Sequence, residues 1–377
     1  MDPVVNELAT RAEALAPTLR AQTRAIEAGR RLTPAAVGAL RELGVFRLLA
    51  PRDAGGLEAS PRTFVDVVEA LARADSATAW CAMVAASTSL VGGWLAPDVA
   101  RTIFAEGTAC GVFAPAGRGV REGDGYRVEG RWPFASGCEH AEYRLGGFVV
   151  VEDGRPHMRQ AFFRAADTAI VDTWDTSGLR GTGSHDFTVA GALVPDGWTV
   201  ALTEAPPRAE GALYRYPIFG VLALGVSAVS LGLARAAIDA LVELAREKRP
   251  AGGKRTLAER ELVQADVARA EACLRAARAL VHTTLEAIDA EVAAGAPMSA
   301  PSRASLRLAA THATAEATRA LDLVHGAAGG TAVYEAGPFA RLHRDAHVAT
   351  QHAMVGAAVY ALAGRVLLGL PTDEATL

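Results

Sequence analysis

The sequence predicts a mainly α protein with a central β domain, and three observations carry that expectation. Leu8, Ala12, Leu15 and Leu19 recur at 4-3-4 spacing, which puts them on one face of a helix. From about 108 to 205 that periodicity disappears, Gly and Pro increase, and short β-type runs appear between turn signals. From about 217 the helical texture returns in long stretches rich in Ala, Leu, Arg and Glu. A chain of 377 residues exceeds one ordinary core. The expected division is an N-terminal helical domain over 1–107, a middle β-barrel domain over 108–210 and a C-terminal helical bundle domain over 211–377.

Taken in order, Thr33-Pro34 and Ser60-Pro61 each place a capping side chain before a proline at the first helical position. Gly29 and Gly44 stand where helices should stop. The strand candidates are Tyr126–Val128, Leu145–Val151, Gln160–Phe163, Ala169–Trp174 and Phe187–Val194, expected to form a small antiparallel barrel or sandwich. Later helices are expected over Glu259–Ala293 and from Ala300-Pro301 to the Gly329-Gly330 break. A last one follows Gly337-Pro338 and carries His343, Arg344, Asp345, His347 and His352. Four of the nine histidines lie between His325 and His352.

Composition excludes several classes. With 21% charged residues and a net charge of −4, no basic excess points to nucleic acid. Cys81, Cys110, Cys138 and Cys273 form no CxxC pair, which fits a reducing cytoplasm. The acidic, amphipathic start does not read as a signal peptide. The uncharged runs Ser76–Pro97 and Pro217–Ala234 have the length of a membrane span but are rich in small residues, so they are expected as buried helices rather than membrane segments. No GxGxxG after a strand, GxxxxGK[ST], HExxH or GxSxG occurs.

The most informative β segment is Gly130-Arg-Trp-Pro-Phe-Ala-Ser-Gly137. Trp132 and Phe134 flank the small corner Ala135, Ser136 and Gly137, where aromatic walls and one hydroxyl suit a flat ring. Phe113, Ala114 and Pro115 offer backbone upstream, and 174–184 is a polar, glycine-rich loop. Each piece alone reads better as a barrel turn with ordinary core aromatics. His343 and His347, at i and i+4, share a helix face, but no carboxylate or third ligand stands at a sensible spacing, so no metal is expected. Arg344-Asp345 is expected to make an ion pair or a subunit contact. Tyr214 and Tyr216 are candidates for a substrate pocket or for loop packing.

Together the segments LxxxGVFRLLAPxxxGG at 40–56, RADSATAW at 73–80, WPFASG at 132–137, SGLRGTGS at 177–184 and GGTAVYEAGPxxRxxRDAH at 329–347 resemble the acyl-CoA dehydrogenase superfamily from end to end. The resemblance implies an N-terminal helical domain, a middle β-barrel, a C-terminal four-helix bundle and a homotetramer. Acyl-CoA dehydrogenases carry a glutamate base just after the RD helix; here that Tyr-Glu position falls on His352-Ala353, and the second family location, within 217–234, holds no acid. The chain is more similar to the flavin-dependent monooxygenase branch. That branch implies reduced flavin (FADH2 or FMNH2) from a separate NAD(P)H:flavin reductase, molecular oxygen, a flavin C4a-hydroperoxide, and hydroxylation of a small phenol- or indole-like aromatic. It also implies His352 as base or proton donor, aided by Ser136. Phe113, Ala114, Pro115, Trp132, Phe134, Ala135, Ser136 and Gly137 would hold the flavin ring, Gly329 and Gly330 its adenine end in a neighbouring subunit, and Trp80 the substrate. A histidine that some members carry on the helix after that tryptophan is replaced here by Ser87, Thr88 and Ser89. The alternatives are an acyl-CoA desaturase with an unconventional base and a non-catalytic scaffold.

Overall fold

The computed structural model describes residues 7–105, 107–295, 298–373 and 377; residues 1–6 and 106 of the expected N-terminal domain lie outside the described residues. Among the described residues six α-helices come first: α1 (Leu8–Ala14), α2 (Ala16–Gly29), α3 (Pro34–Leu43), α4 (Pro61–Ala74), α5 (Ser76–Ser89) and α6 (Pro97–Phe104). The two Pro-led starts are capped as expected, Thr33 Oγ1 accepting from Ala36 N and Ser60 Oγ from Thr63 N. Gly44 caps α3 in the left-handed region, and α2 has Gly29 as its last residue, with Arg30 as its left-handed cap.

Seven strands follow: β1 (Ala109–Glu122), β2 (Gly125–Trp132), β3 (Tyr143–Glu152), β4 (Arg155–Arg164), β5 (Ala169–Val171), β6 (Asp186–Pro195) and β7 (Thr199–Val200). They form one sheet in the order β5-β6-β2-β1-β3-β4-β7. Two expectations are corrected. β1 and β3 pair in parallel, so the sheet is mixed, and among the described residues no pairing joins β5 to β7 into a closed barrel. The β1–β3 register breaks between Val112 and Gly117, which takes Phe113, Ala114 and Pro115 out of the ladder.

The C-terminal part contains α7 (Ile218–Glu247), α8 (Glu261–Ala293), α9 (Ala300–Ala328), α10 (Pro338–Ala349) and α11 (Ala358–Leu367). α9 packs on α7 and α8 and receives α10 and α11. α7 is long and apolar enough to cross a membrane, but its apolar window is 89% buried against α4, α5 and α9. Every residue of α5 is buried too, which explains why neither run shows a polar face in sequence. One continuous apolar core links the three parts of the chain, so the segments differ in texture without each owning a separate core.

Candidate functional site

Site geometry begins at α5. Asp75 caps the helix through Thr78 N, and the next residue, Ser76, donates its hydroxyl to Asp345 on α10 at 2.5 Å. Asp345 is fully buried and also accepts from Leu179 N at 2.6 Å and Arg341 Nη1 at 3.3 Å. Burial raises its pKa, and the Arg341 charge and these donors oppose that shift. Arg344 does not pair with Asp345, as the sequence suggested; it reaches Glu335 at 2.7 Å and Glu27 at 3.5 Å. The 177–184 loop lies so close to α10 that a Cβ on Gly178 would come within 2.5 Å of the Arg344 carbonyl oxygen. One carboxylate therefore fixes α5, α10 and this loop together.

One turn along α5, Trp80 donates from Nε1 to Ser136 Oγ at 3.1 Å and meets the His352 ring at 5.7 Å between centroids, edge to face. Behind Ser136 stands a row of hydroxyls: Ser136 Oγ to Ser184 Oγ at 2.7 Å, Ser184 Oγ to Thr182 Oγ1 at 2.6 Å, and Thr182 Oγ1 donating to Leu179 O at 2.8 Å. A hydroxyl has one proton to give. Thr182 spends its proton on Leu179, so Ser184 must donate to Thr182 and Ser136 to Ser184. The remaining lone pair of Ser136 can only accept. Sequence reading quoted this loop but missed the row, because the three hydroxyls meet only after β2 and β6 pair.

Gly137, at φ +77°, completes the corner by donating to Thr182 O at 2.9 Å, and buried Ala135 donates its N–H to His185 O at 3.0 Å. The two aromatics of the WPFASG segment part company. Trp132 is fully buried, stacked on Phe187 at 4.8 Å and hydrogen-bonded to Gly147 O at 2.7 Å, so its proposed place against a flat ring is corrected to sheet core. Phe134 remains 69% exposed at φ +64°, a conformation that costs a non-glycine residue about 1 kcal/mol or more. Phe113 touches Phe219 of α7 edge to face, while Ala114 and Pro115 are exposed. Gln160 gives Nε2 to Phe113 O at 3.3 Å but leaves its buried Oε1 with no partner.

His352 lies beyond the end of α10, not on it, and caps a 3-10 turn by accepting the Met354 N–H at Nδ1, 3.2 Å. The neutral ring therefore carries its proton on Nε2. Burial, with Arg307 nearby, pushes its pKa down to about 4. On α5, exposure rises slightly at Ala77, Trp80 and Val84 (5%, 7% and 8%), spaced i, i+3 and i+7 on one face. Ser87 continues that face, and its buried Oγ has no hydrogen-bond partner.

Tyr214 and Tyr216 are corrected to packing roles. Their hydroxyls are committed to Leu49 O at 3.1 Å and Asp289 Oδ1 at 2.5 Å, and both rings are buried. Gly329 and Gly330 do not join the Ser136 cluster. They line a separate cavity of about 750 Å³ with Lys248, Lys254, Arg255 and Arg260. A larger cavity of about 1300 Å³, beside Arg20, Arg180 and Arg341, includes none of the expected site residues. On the outer face, Asp322 of α9 accepts from both His343 and His347, so the carboxylate that the spacing seemed to lack comes from the preceding helix.

These residues suit a flavin-type ring. Phe134 and Ser136 offer an exposed aromatic and an acceptor-only hydroxyl two residues apart, and Phe113 and Gln160 add unpaired β1 backbone and an orphan carbonyl oxygen joined by one hydrogen bond.

Comparison with known proteins identifies the family. The N-terminal domain of acyl-CoA dehydrogenase matches residues 7–96, and its C-terminal domain matches 224–357. Indole-3-acetate monooxygenase of Pseudomonas putida is 34% identical over 93% of this chain and 90% of its own length. The oxygenase subunit HsaA of a flavin-dependent monooxygenase from Rhodococcus jostii is 29% identical over 97% and 99%. The structure of XiaF from Streptomyces, in complex with FADH2 and glycerol, superposes with a TM-score of 0.90 at 26% identity, covering 97% of this chain and 96% of XiaF.

Proposed function

The chain belongs to the acyl-CoA dehydrogenase family, and from that premise we propose that His352, Trp80 and the Ser136 hydroxyl row form the active site of an aromatic hydroxylase. It is a flavin-dependent monooxygenase of the oxygenase-component type, using reduced flavin and molecular oxygen. The observation that carries the site assignment is the Trp80 link between Ser136 and His352, which joins the ring-binding corner to an imidazole in a largely enclosed space.

Bound reduced flavin supplies the electrons that activate oxygen. The chain's own groups do the rest. Phe134 and the Phe113–Pro115 backbone would hold the ring. Ser136 offers a lone pair and no proton, so it would accept from a ring N–H, of which the reduced ring carries at least one that the oxidised ring lacks. His352, with Nδ1 occupied by Met354, would offer Nε2–H to the substrate as a hydrogen-bond donor. Accepting a proton requires the other tautomer. The α5 face of Trp80, Val84 and Ser87 bounds the substrate, with Ser87 Oγ as its polar contact. Buried α5 and α7 keep water out, which suppresses loss of reduced oxygen as peroxide.

The remaining assignments complete this reading. A small phenol- or indole-like molecule is the substrate, and a separate NAD(P)H:flavin reductase supplies reduced flavin. The basic cavity around Gly329 and Gly330 suits the phosphate end of a flavin held by a neighbouring copy, consistent with a homotetramer. Four unpaired cysteines fit the cytoplasm. The same reading keeps domain boundaries at 107 and 210; α6 ends at Phe104 before β1 starts at Ala109, and β7 ends at Val200 before α7 starts at Ile218.

The test is coupling. Supplied with reduced flavin and a panel of phenols and indoles, the wild type yields hydroxylated product, while His352→Ala still binds flavin but returns the oxygen as hydrogen peroxide. Unchanged hydroxylation in that variant removes His352 from the mechanism.

A further inference from the structure

We propose that Asp322, His343 and His347 form a surface site for one divalent transition-metal ion that clasps α9 to α10. His343 and His347 lie one turn apart on α10, and both Nε2 atoms converge on a single oxygen of Asp322, at 3.1 and 2.9 Å from Oδ1. The three donor atoms lie within 4.8 Å of one another. An ion with bonds of about 2.0–2.2 Å separates adjacent ligands by roughly 3 Å, so these positions need little rearrangement. His325 stands 4.3 Å from the His343 ring and puts a third imidazole beside the cluster.

The donor set specifies the ligand class. Two imidazole nitrogens and one carboxylate oxygen favour Zn²⁺, Co²⁺, Ni²⁺ or Cu²⁺ over Mg²⁺ or Ca²⁺, which prefer oxygen shells. The side chains of Asp322, His343 and His347 are 51%, 32% and 47% exposed, so water can complete the shell. The consequence is mechanical. α9 and α10 flank the Gly329-Gly330 break, and α10 carries Asp345, which holds α5 and the 177–184 loop. None of the three ligands belongs to the flavin or substrate groups proposed above, so this site stands or falls separately.

Tag-free, chelator-stripped full-length protein is titrated with Co²⁺ by visible absorption and with Zn²⁺ by calorimetry. The expected result is one ion per chain, no competition by millimolar Mg²⁺, and a Zn²⁺-dependent rise in Tm. Asp322→Asn and His347→Ala each weaken binding by at least ~10-fold and abolish the Tm rise, while His312→Ala, elsewhere on α9, changes neither. Circular dichroism confirms that the exposed substitutions leave the fold intact. Absence of stoichiometric binding by the wild type, or equal binding by Asp322→Asn and His347→Ala, overturns the proposal.

Discussion

Trp80 gives its indole N–H to the Ser136 hydroxyl at 3.1 Å, and the same ring meets His352 at 5.7 Å. One buried side chain thus couples the corner proposed to receive a flavin ring to the imidazole proposed to face the substrate, and most expectations for variants follow from that link.

Ser184 sets the direction of the hydroxyl row. In Ser184→Ala, Ser136 regains a free proton and can donate to oxidised flavin. The preference for reduced over oxidised flavin should fall by about 2- to 10-fold, the worth of one hydrogen bond. Anaerobic binding titrations with both redox forms measure it; an unchanged ratio means Ser136 polarity is irrelevant to the ring.

Trp132 and Phe134 should separate stability from binding. Trp132→Ala removes a fully buried ring and is expected to cost about 3–5 kcal/mol by denaturant unfolding. Phe134→Gly relieves a positive φ, so stability should hold or rise while flavin affinity drops. A Phe134→Gly protein with full flavin affinity would contradict the assigned ring contact.

Two half-buried histidines, His140 and His352, are both held by desolvation near pKa 4. Each binds a proton more readily when unfolded, since the free imidazole has a pKa of about 6.5. Stability therefore stays at its full value above about pH 6.5 and is lost as pH falls toward 4, by at most about 1.4 kcal/mol per pH unit for each histidine. Partial exposure keeps the real slope lower. His140→Gln should flatten this acid arm in unfolding curves collected between pH 7 and 4.5; an identical slope would show that His140 is not the source.

Ser87 is expected to act on substrate alone. Its orphan hydroxyl predicts that Ser87→Ala raises KM by roughly 10-fold for a substrate bearing a hydrogen-bonding group, with flavin affinity unchanged. Steady-state kinetics with matched polar and apolar aromatics distinguish this from a packing effect, which would move both substrates together.

Much of this was legible in the sequence, and the misses have physical causes. The capped helix starts and the buried α5 and α7 follow from local composition. Trp132 and Phe134, two residues apart, would share one face if β2 continued, but the strand ends at Trp132 and the positive φ at Phe134 turns the second ring outward. β1 does not stand out in sequence because its few β-type residues, Val112, Phe113 and Val120, are interrupted by Gly and Pro. Asp322 could not be paired with His343 by spacing, since they stand 21 positions apart with a glycine turn between them. The hydroxyl row and the burial of Tyr214 and Tyr216 likewise depend on long-range contacts that no local pattern encodes.

The central claim is that this chain inserts an atom of molecular oxygen into an aromatic substrate. The direct measurement is mass spectrometry of product formed from reduced flavin, a phenol or indole substrate and ¹⁸O₂. The account predicts a hydroxylated product carrying one ¹⁸O atom, lost in His352→Ala together with a matching gain in hydrogen peroxide. Product without ¹⁸O, or peroxide alone from flavin-loaded wild type across the substrate panel, would contradict it.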